Sequence, residues 1–175
     1  MEASVLVRKA KQGDKEALIQ LVMRKKQEYY KLAYVYVGNK EDALDAMEDM
    51  IVIIYENISK LKKDDSFYTW SKTILVNCCK KIVNNSRKMI SFETIEELAV
   101  PGDFEQKNDQ IVLEKHLLKL SHKHQEVIKM RYFLDLDYQA IADILKIPLG
   151  TVKSRISYGI ERLKESFGGE NNEDH

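Results

Sequence analysis

The sequence predicts an all-α protein of two small helical domains joined by a flexible acidic linker. Three observations lead there. Only 7 glycines and 2 prolines interrupt 175 residues, and the stretches between them are rich in Leu, Ile, Lys and Glu, which favour helix. Apolar residues recur at spacings of three and four on either side of residues 89–110, where Glu93, Glu96, Glu97, Asp103, Glu105 and Asp109 dominate and Pro101-Gly102 breaks the chain. Hydrophobic residues make up 44% and charged ones 32%, enough for packed cores and too apolar for wholesale disorder. The expected layout is a helical domain over 1–88, the linker over 89–110, a second helical domain over 111–168 and a disordered tail over 169–175.

Residues 4 to 11 read as a short basic helix, after which Gly13-Asp14 punctuates, with Asp14 placed as a cap. A long helix is expected from Ala17, its stripe made by Leu18, Val22, Tyr29, Leu32, Ala33 and Tyr36, and Gly38-Asn39 stops it. The next helix, about Lys40 to Ile58, has Ala43, Met47, Met50 and Ile54 on one face and Glu41, Asp45, Glu48, Asp49 and Glu56 on another. Val52 and Ile53 widen its apolar band beyond one buried face. An acidic surface beside surplus apolar residues suits docking on a basic partner, although an ordinary solvated helix presents the same periodicity.

Ser59 to Ser66 is a polar loop whose basic cluster includes Lys62 and Lys63. A helix from Phe67 to Val83 then sets Trp70, Ile74, Asn77/Cys78 and Lys81 at helical steps, with Lys72, Lys80, Lys81, Arg87 and Lys88 adding positive charge on and after it. Aromatics, Asn and Lys together fit single-stranded or melted nucleic acid, in which bases stack and phosphates pair. For Phe67, Tyr68 and Trp70 core packing is the plainer use, and for Trp70 the preferred one.

Past the acidic stretch the helical period returns with Leu113, Leu117 and Leu120, and Ser121 is placed to cap a helix carrying Val127, Ile128 and Met130. Leu136 to Arg155 then reads as two helices and a tight turn. Asp137 caps the first, whose Ile141, Ile144 and Leu145 share a face, and Ala142 is small where a second helix would pass close. Lys146-Ile147 make the turn and Pro148 suits the first position of the second helix. There Val152 and Ile156 point inward, which leaves Thr151, Lys153, Ser154, Arg155 and Tyr158 for other faces. Hydroxyls mixed with cations suit a helix read into a DNA groove; a packed helical hairpin with a solvated basic face is the plainer alternative. Ile160 and Leu163 extend this helix to about Phe167, where Gly168-Gly169 should end it.

Composition narrows the function. With 28 basic and 28 acidic side chains the formal charge is zero, so charge is segregated along the chain or DNA affinity is borrowed from a partner. Cys78 and Cys79 are helix neighbours about 100° apart, which cannot easily bridge; they read as small core thiols. No apolar signal core follows Met1 and no run reaches the ~18 residues of a membrane span, so no membrane insertion and a cytoplasmic location are expected. The histidines are His116, His122, His124 and His175, and His122-Lys123-His124 has poor spacing for a metal. No nucleophile–base set or glycine-rich phosphate loop occurs, so neither catalysis, cofactor nor metal is expected.

The whole arrangement, from about Ala17 to Phe167, resembles the group IV, extracytoplasmic-function (ECF) sigma factors of bacterial RNA polymerase, in which helical regions two and four are joined by a flexible linker. Asp42-Ala43-Leu44-Asp45-Ala46-Met47-Glu48-Asp49-Met50 is similar to the family's D-A-E-D-L-V-Q-E-T segment. The resemblance implies that Asp45, Glu48, Asp49 and the neighbouring Val52 and Ile53 bind the clamp helices of the largest subunit of core RNA polymerase. Trp70 and Asn77 match the family's F-x-x-W-(six residues)-N pattern. This implies capture of the minus-ten promoter strand by Lys62, Lys63, Phe67, Lys72, Asn77, Lys80 and Lys81, with Lys80 standing where the family often has an acid. Ile147 to Arg155 matches I-P-x-G-T-V-K-S-R, which implies that Thr151, Lys153, Ser154, Arg155, Ser157 and Tyr158 contact the minus-thirty-five element. The family often has Gly in the turn where Lys146 stands, and an aromatic or His and then Arg where Ser157 and Tyr158 occur. The resemblance also implies an anti-sigma partner, often membrane-anchored, and a linker that threads the polymerase's basic RNA path.

Three other readings compete. A stand-alone helix-turn-helix regulator would bind an operator as a dimer without polymerase and needs neither the acidic helix nor the Trp70/Asn77 segment. An enzyme would need a constellation that the chain lacks. A pure interaction protein would sequester partners without supporting transcription.

Overall fold

The computed structural model describes residues 1–87 and 112–171. The acidic stretch 89–110, Lys88, Ile111 and residues 172–175 lie outside the described residues. Among those described the chain is helical, with no strand. It divides into two compact units, the first built on the N-terminal helices and the second on most of the rest. The N-terminal helices are α1 (Ala3–Lys11), α2 (Lys15–Arg24), α3 (Lys26–Val37), α4 (Lys40–Asn57) and α5 (Phe67–Arg87), with 3₁₀ turns at Ile58–Lys60 and Asp64–Ser66. Later in the chain come a helical segment at 112–117 (α6), then α7 (His122–Tyr132), α8 (Tyr138–Leu145) and α9 (Leu149–Asn171).

The N-terminal core forms around α4, which packs on both α3 and α5. Its apolar stripe, Ala43, Ala46, Met47, Met50 and Ile54, is buried as the spacing predicts. Gly38 ends α3 in the left-handed conformation (φ 74°), and the Asn39 side chain accepts from the Asp42 N–H at 2.9 Å to start α4. Asp14 caps α2 by accepting from the Ala17 N–H at 3.1 Å. The N-terminal helix is amphipathic as well as basic, with Leu6, Val7 and Ala10 buried.

One expected element of the N-terminal half differs. The single long helix from Ala17 is broken at Lys25 (φ −116°, ψ 19°), between α2 and α3. No Gly or Pro marks the break; the Lys25 N–H bonds to Val22 O at 3.2 Å and the Lys25 carbonyl accepts from Tyr29 at 3.0 Å. Tertiary packing overrides helix propensity here, because the turn lets α3 bury Tyr29 completely. The Ser71 hydroxyl donates to the Tyr68 carbonyl at 2.9 Å, so the Tyr29 hydroxyl must be the donor in its 2.6 Å bond to Ser71 Oγ. Burial raises the Tyr29 pKa, which keeps that proton in place. Cys78 and Cys79 are buried free thiols. Burial pushes both up, Cys79 to about 12, which leaves little reactive thiolate at neutral pH.

In the C-terminal part, α7 packs on α9. Val127, Ile128, Met130, Ile141, Ala142, Ile144, Val152 and Ile156 are buried. Ser121 stands at the N-cap of α7, but its hydroxyl meets the His124 ring rather than a backbone N–H. Asp137 caps α8 as expected, accepting from the Ala140 N–H at 2.7 Å. The helix closes with Lys146 at φ 54° and the Ile147 N–H bonded to Ala142 O at 3.1 Å, the 6→1 bond of a Schellman turn. Pro148 sits one position earlier than expected, as the cap of α9, its carbonyl accepting from Thr151 at 3.0 Å and Val152 at 3.2 Å. At its far end α9 continues through Gly168-Gly169 to Asn171. Gly168 is outside the left-handed region, which Gly13 and Gly38 occupy, and glycine permits a helix stop without imposing one.

Two substitutions test this packing. Gly159 lies where α9 meets α7, and a Cβ there would overlap Ile128 Cδ1 and press on Ile128 Cγ1 at 3.3 Å. Gly159→Ala should cost about 1 kcal/mol, since overpacking of ~1–3 kcal/mol outweighs the ~1 kcal/mol gain in helix propensity. Adding Ile128→Val, which removes Cδ1, should recover part of that loss in thermal melts. Lys146→Gly should stabilise by roughly 0.5–1 kcal/mol, because a left-handed Lys carries a penalty that Gly lacks; calorimetry should show a higher melting midpoint for the C-terminal helices.

Candidate functional site

Three surfaces carry the residues singled out from sequence. The first is the outer face of α4. Asp45, Glu48, Asp49, Val52, Ile53 and Glu56 are all exposed and, at i, i+3, i+4, i+7, i+8 and i+11, form one stripe opposite the buried one. Val52 and Ile53 are 56% and 37% exposed, so the surplus apolar band does reach solvent. Two residues that the sequence reading did not single out extend it: Leu44 and Tyr55 are 38% and 48% exposed. Their place beside Glu48, in the row 44, 48, 51, 55, is the spacing that marks them. Lys15 Nζ lies 5.5 Å from the Tyr55 ring centre, which steadies that ring.

The second surface belongs to α5 and the loop before it. Lys62 and Lys63 are exposed between the two 3₁₀ turns. Asn77, Lys80 and Lys81 are exposed at i, i+3 and i+4 and share one face of α5. Two expected members do not join them. Phe67 is 1% exposed and packs edge-to-face on Tyr68 at 5.3 Å; it anchors the start of α5 in the core and has no open face for a base. Lys72 lies on another side of α5, where it forms a 2.9 Å ion pair with Glu28 of α3. That contact, first among its causes, holds the Glu28 carboxyl below its ordinary pKa. Trp70 is half-buried, 6.2 Å from the Phe67 ring, in keeping with its preferred packing role.

The third surface is the first half of α9. With Val152 and Ile156 buried, Thr151, Ser154, Arg155 and Tyr158 line one outer row at i, i+3, i+4 and i+7, and Lys153 and Ser157 line a second. Lys153, Ser154, Ser157 and Tyr158 are exposed, while Thr151 and Arg155 are half-buried. The Ser154 hydroxyl is turned back to Thr151 O at 3.1 Å. Tyr158 is tied sideways: its hydroxyl accepts from Arg162 Nε at 2.9 Å and its ring lies 4.5 Å from that of His124. His124 is held below its ordinary pKa by burial first, then by Arg155, Lys123 and Arg162, so this flank adds a neutral ring to the cationic rows.

No helix among the described residues is long and apolar enough to cross a membrane. Comparison with known proteins fits this geometry. The family model for sigma-70 region 2 matches residues 21–88, which include both N-terminal surfaces, and that for sigma-70 region 4 matches residues 116–165, which include the third. The chain is 28% identical to the RNA polymerase sigma factor SigV of Bacillus subtilis (strain 168) over 158 residues, 89% of this chain and 94% of the relative. It is 28% identical to the ECF RNA polymerase sigma factor SigW of the same organism over 178 residues, 92% and 94% of the two chains. It is also similar to the ECF RNA polymerase sigma-E factor of Haemophilus influenzae, with 29% identity over 177 residues and 93% of each chain covered. Among solved structures, CnrH in complex with the cytosolic domain of CnrY shares the fold with a TM-score of 0.69 at 18% identity, over 95% of this chain and 97% of that one. The sigma factor RpoE from Bartonella quintana, in complex with the anti-sigma factor NepR, shares it with a TM-score of 0.61 at 22% identity, over 83% and 93%. The chain therefore belongs to the sigma-70 family, in its group IV or ECF class, and is a transcription initiation factor and not an enzyme.

Proposed function

We propose that this sigma factor divides its work among the three surfaces. The exposed acidic and apolar stripe of α4 docks on the clamp helices of core RNA polymerase through Asp45, Glu48, Asp49, Val52 and Ile53, with Leu44 and Tyr55 at its edge. Lys62, Lys63, Asn77, Lys80 and Lys81 hold the melted minus-ten strand, and the α9 rows hold the minus-thirty-five element. The observation that carries this reading is the segregation of charge. An acidic stripe stands on one exposed helix face while cations gather on α5, its loop and α9, in a chain whose formal net charge is zero. Such a chain does not need to hold DNA by itself. Docking on polymerase presents both DNA surfaces at high effective concentration, so two modest affinities multiply.

The acidic stretch 89–110 serves as the linker between the two regions, and the factor works in the cytoplasm. An anti-sigma protein holds it inactive until a signal releases it, as the anti-sigma factor bound to the Bartonella quintana relative suggests; an anchored form of that partner would tether the complex to the membrane.

Two experiments test the assignment. Reversing Asp45 and Asp49 together to Lys should weaken binding to purified core polymerase by about a hundredfold, because like charges brought face to face cost several kcal/mol; unchanged co-elution would contradict the docking face. Lys153→Ala with Arg155→Ala should leave core binding intact but reduce run-off transcription from the factor's promoter by about tenfold. The slope of log affinity against log salt should also fall by about one for each phosphate left without its cation. Normal initiation would contradict the α9 assignment.

A further inference from the structure

The loop between α4 and α5 is a built structure rather than a loose tether. Ile58 and Leu61 are buried at 3% and 7% exposure, and the Leu61 N–H bonds to Ile58 O at 3.1 Å. On the far side, Ser66 holds the Lys63 carbonyl twice, with its N–H at 3.1 Å and its hydroxyl at 2.7 Å. Between these pins, Lys62 and Lys63 project to solvent. The remaining pin comes from far away in sequence. Lys11 Nζ, at the last residue of α1, bonds to Asp64 Oδ1 at 2.6 Å, and both side chains are partly buried. The first helix packs on both 3₁₀ turns, yet it precedes the region-2 match, which begins at residue 21.

We infer that Lys11 is a positioning residue for nucleic-acid capture: through Asp64 it fixes the loop that presents Lys62 and Lys63, so that α1 braces the single-strand-binding surface. The inference rests on the reading of Lys62 and Lys63 as contacts to the melted strand. Its logic is preorganisation. A loop held in its binding geometry loses less conformational freedom when the strand arrives, and the phosphates meet two cations already placed. Asp64 is otherwise a poor choice, because a carboxylate beside the two lysines repels the same phosphates. Its use as the anchor for Lys11 offsets that cost.

Removing either member of the pair separates bracing from simple charge. Lys11→Ala removes a positive charge and Asp64→Asn removes a negative one. Coulomb attraction alone predicts that the first weakens and the second strengthens binding of an anionic strand. Bracing predicts that both weaken it. The assay uses full-length protein in holoenzyme with purified core polymerase, and measures capture of a fluorescent pool of single-stranded DNA of random sequence. Lys11→Ala and Asp64→Asn should each lower affinity by about two- to fivefold, the order that a partly exposed ion pair can supply. Lys11→Arg should retain parental affinity, and core binding should be unchanged in all three. Tighter binding by Asp64→Asn, or parental binding by Lys11→Ala, overturns the brace while Lys62→Ala/Lys63→Ala still weakens capture. If that double variant also binds like the parent, the reading of the loop fails and the brace with it. A drop in melting temperature that tracks the affinity loss in both variants, unrescued by Lys11→Arg, would assign the pair to fold stability and overturn the inference.

Discussion

Burial of a single stripe of α4 is the interaction on which the N-terminal half depends. Ala43, Ala46, Met47, Met50 and Ile54 face inward, and large side chains such as Met50 and Ile54 each contribute roughly 1.5–3 kcal/mol when removed from water. That burial holds α3 and α5 to α4. At 3.6 residues per turn it also dictates where the remaining side chains go. Once the stripe is in, Asp45, Glu48, Asp49, Val52 and Ile53 must be out. The face proposed for docking is thus the complement of the core, and cannot shift without undoing it. The same logic governs α9, where burial of Val152 and Ile156 and the close approach at Gly159 turn the Thr151 and Lys153 rows outward.

Each surface proposed to face the promoter is modest by itself. Lys72, which would have enlarged the α5 surface, is already paired with Glu28, and Tyr158 is drawn toward Arg162 and His124. The proposed association with polymerase removes the need for strong independent affinity. It also suits promoter opening energetically, since a few captured bases offset the few kcal/mol of unpairing each step requires.

Periodicity made most of the helices legible, because a buried stripe leaves its spacing in the sequence. The α4 and α8 stripes, the Asp14 and Asp137 caps and the Gly38-Asn39 stop are all local patterns, and all appear as read. Departures arise where a distant part of the chain decides the outcome. The break at Lys25 has no local mark, and the helix after it carries Tyr29 to Ser71, 42 residues away. Phe67 has an aromatic's ambiguity, and only the assembled core shows that its ring is covered. The Lys11–Asp64 pair spans 53 residues and no spacing rule anticipates it. Ser121 has the right type and place for a cap, but a nearby imidazole takes its hydroxyl. The candidate site was legible where residues share one helix face, as on α4 and α9, and less so where the chain folds back, as at Lys72.

On the proposed division of labour, DNA recognition by this chain is conditional on polymerase. Footprinting of one promoter fragment, with full-length protein alone and with added core polymerase, tests that claim most directly. The account predicts protection of both promoter elements and reactive, unpaired thymines near minus ten only when polymerase is present. Equal protection by the protein alone, at a symmetric site, would contradict it and favour a self-sufficient helix-turn-helix regulator.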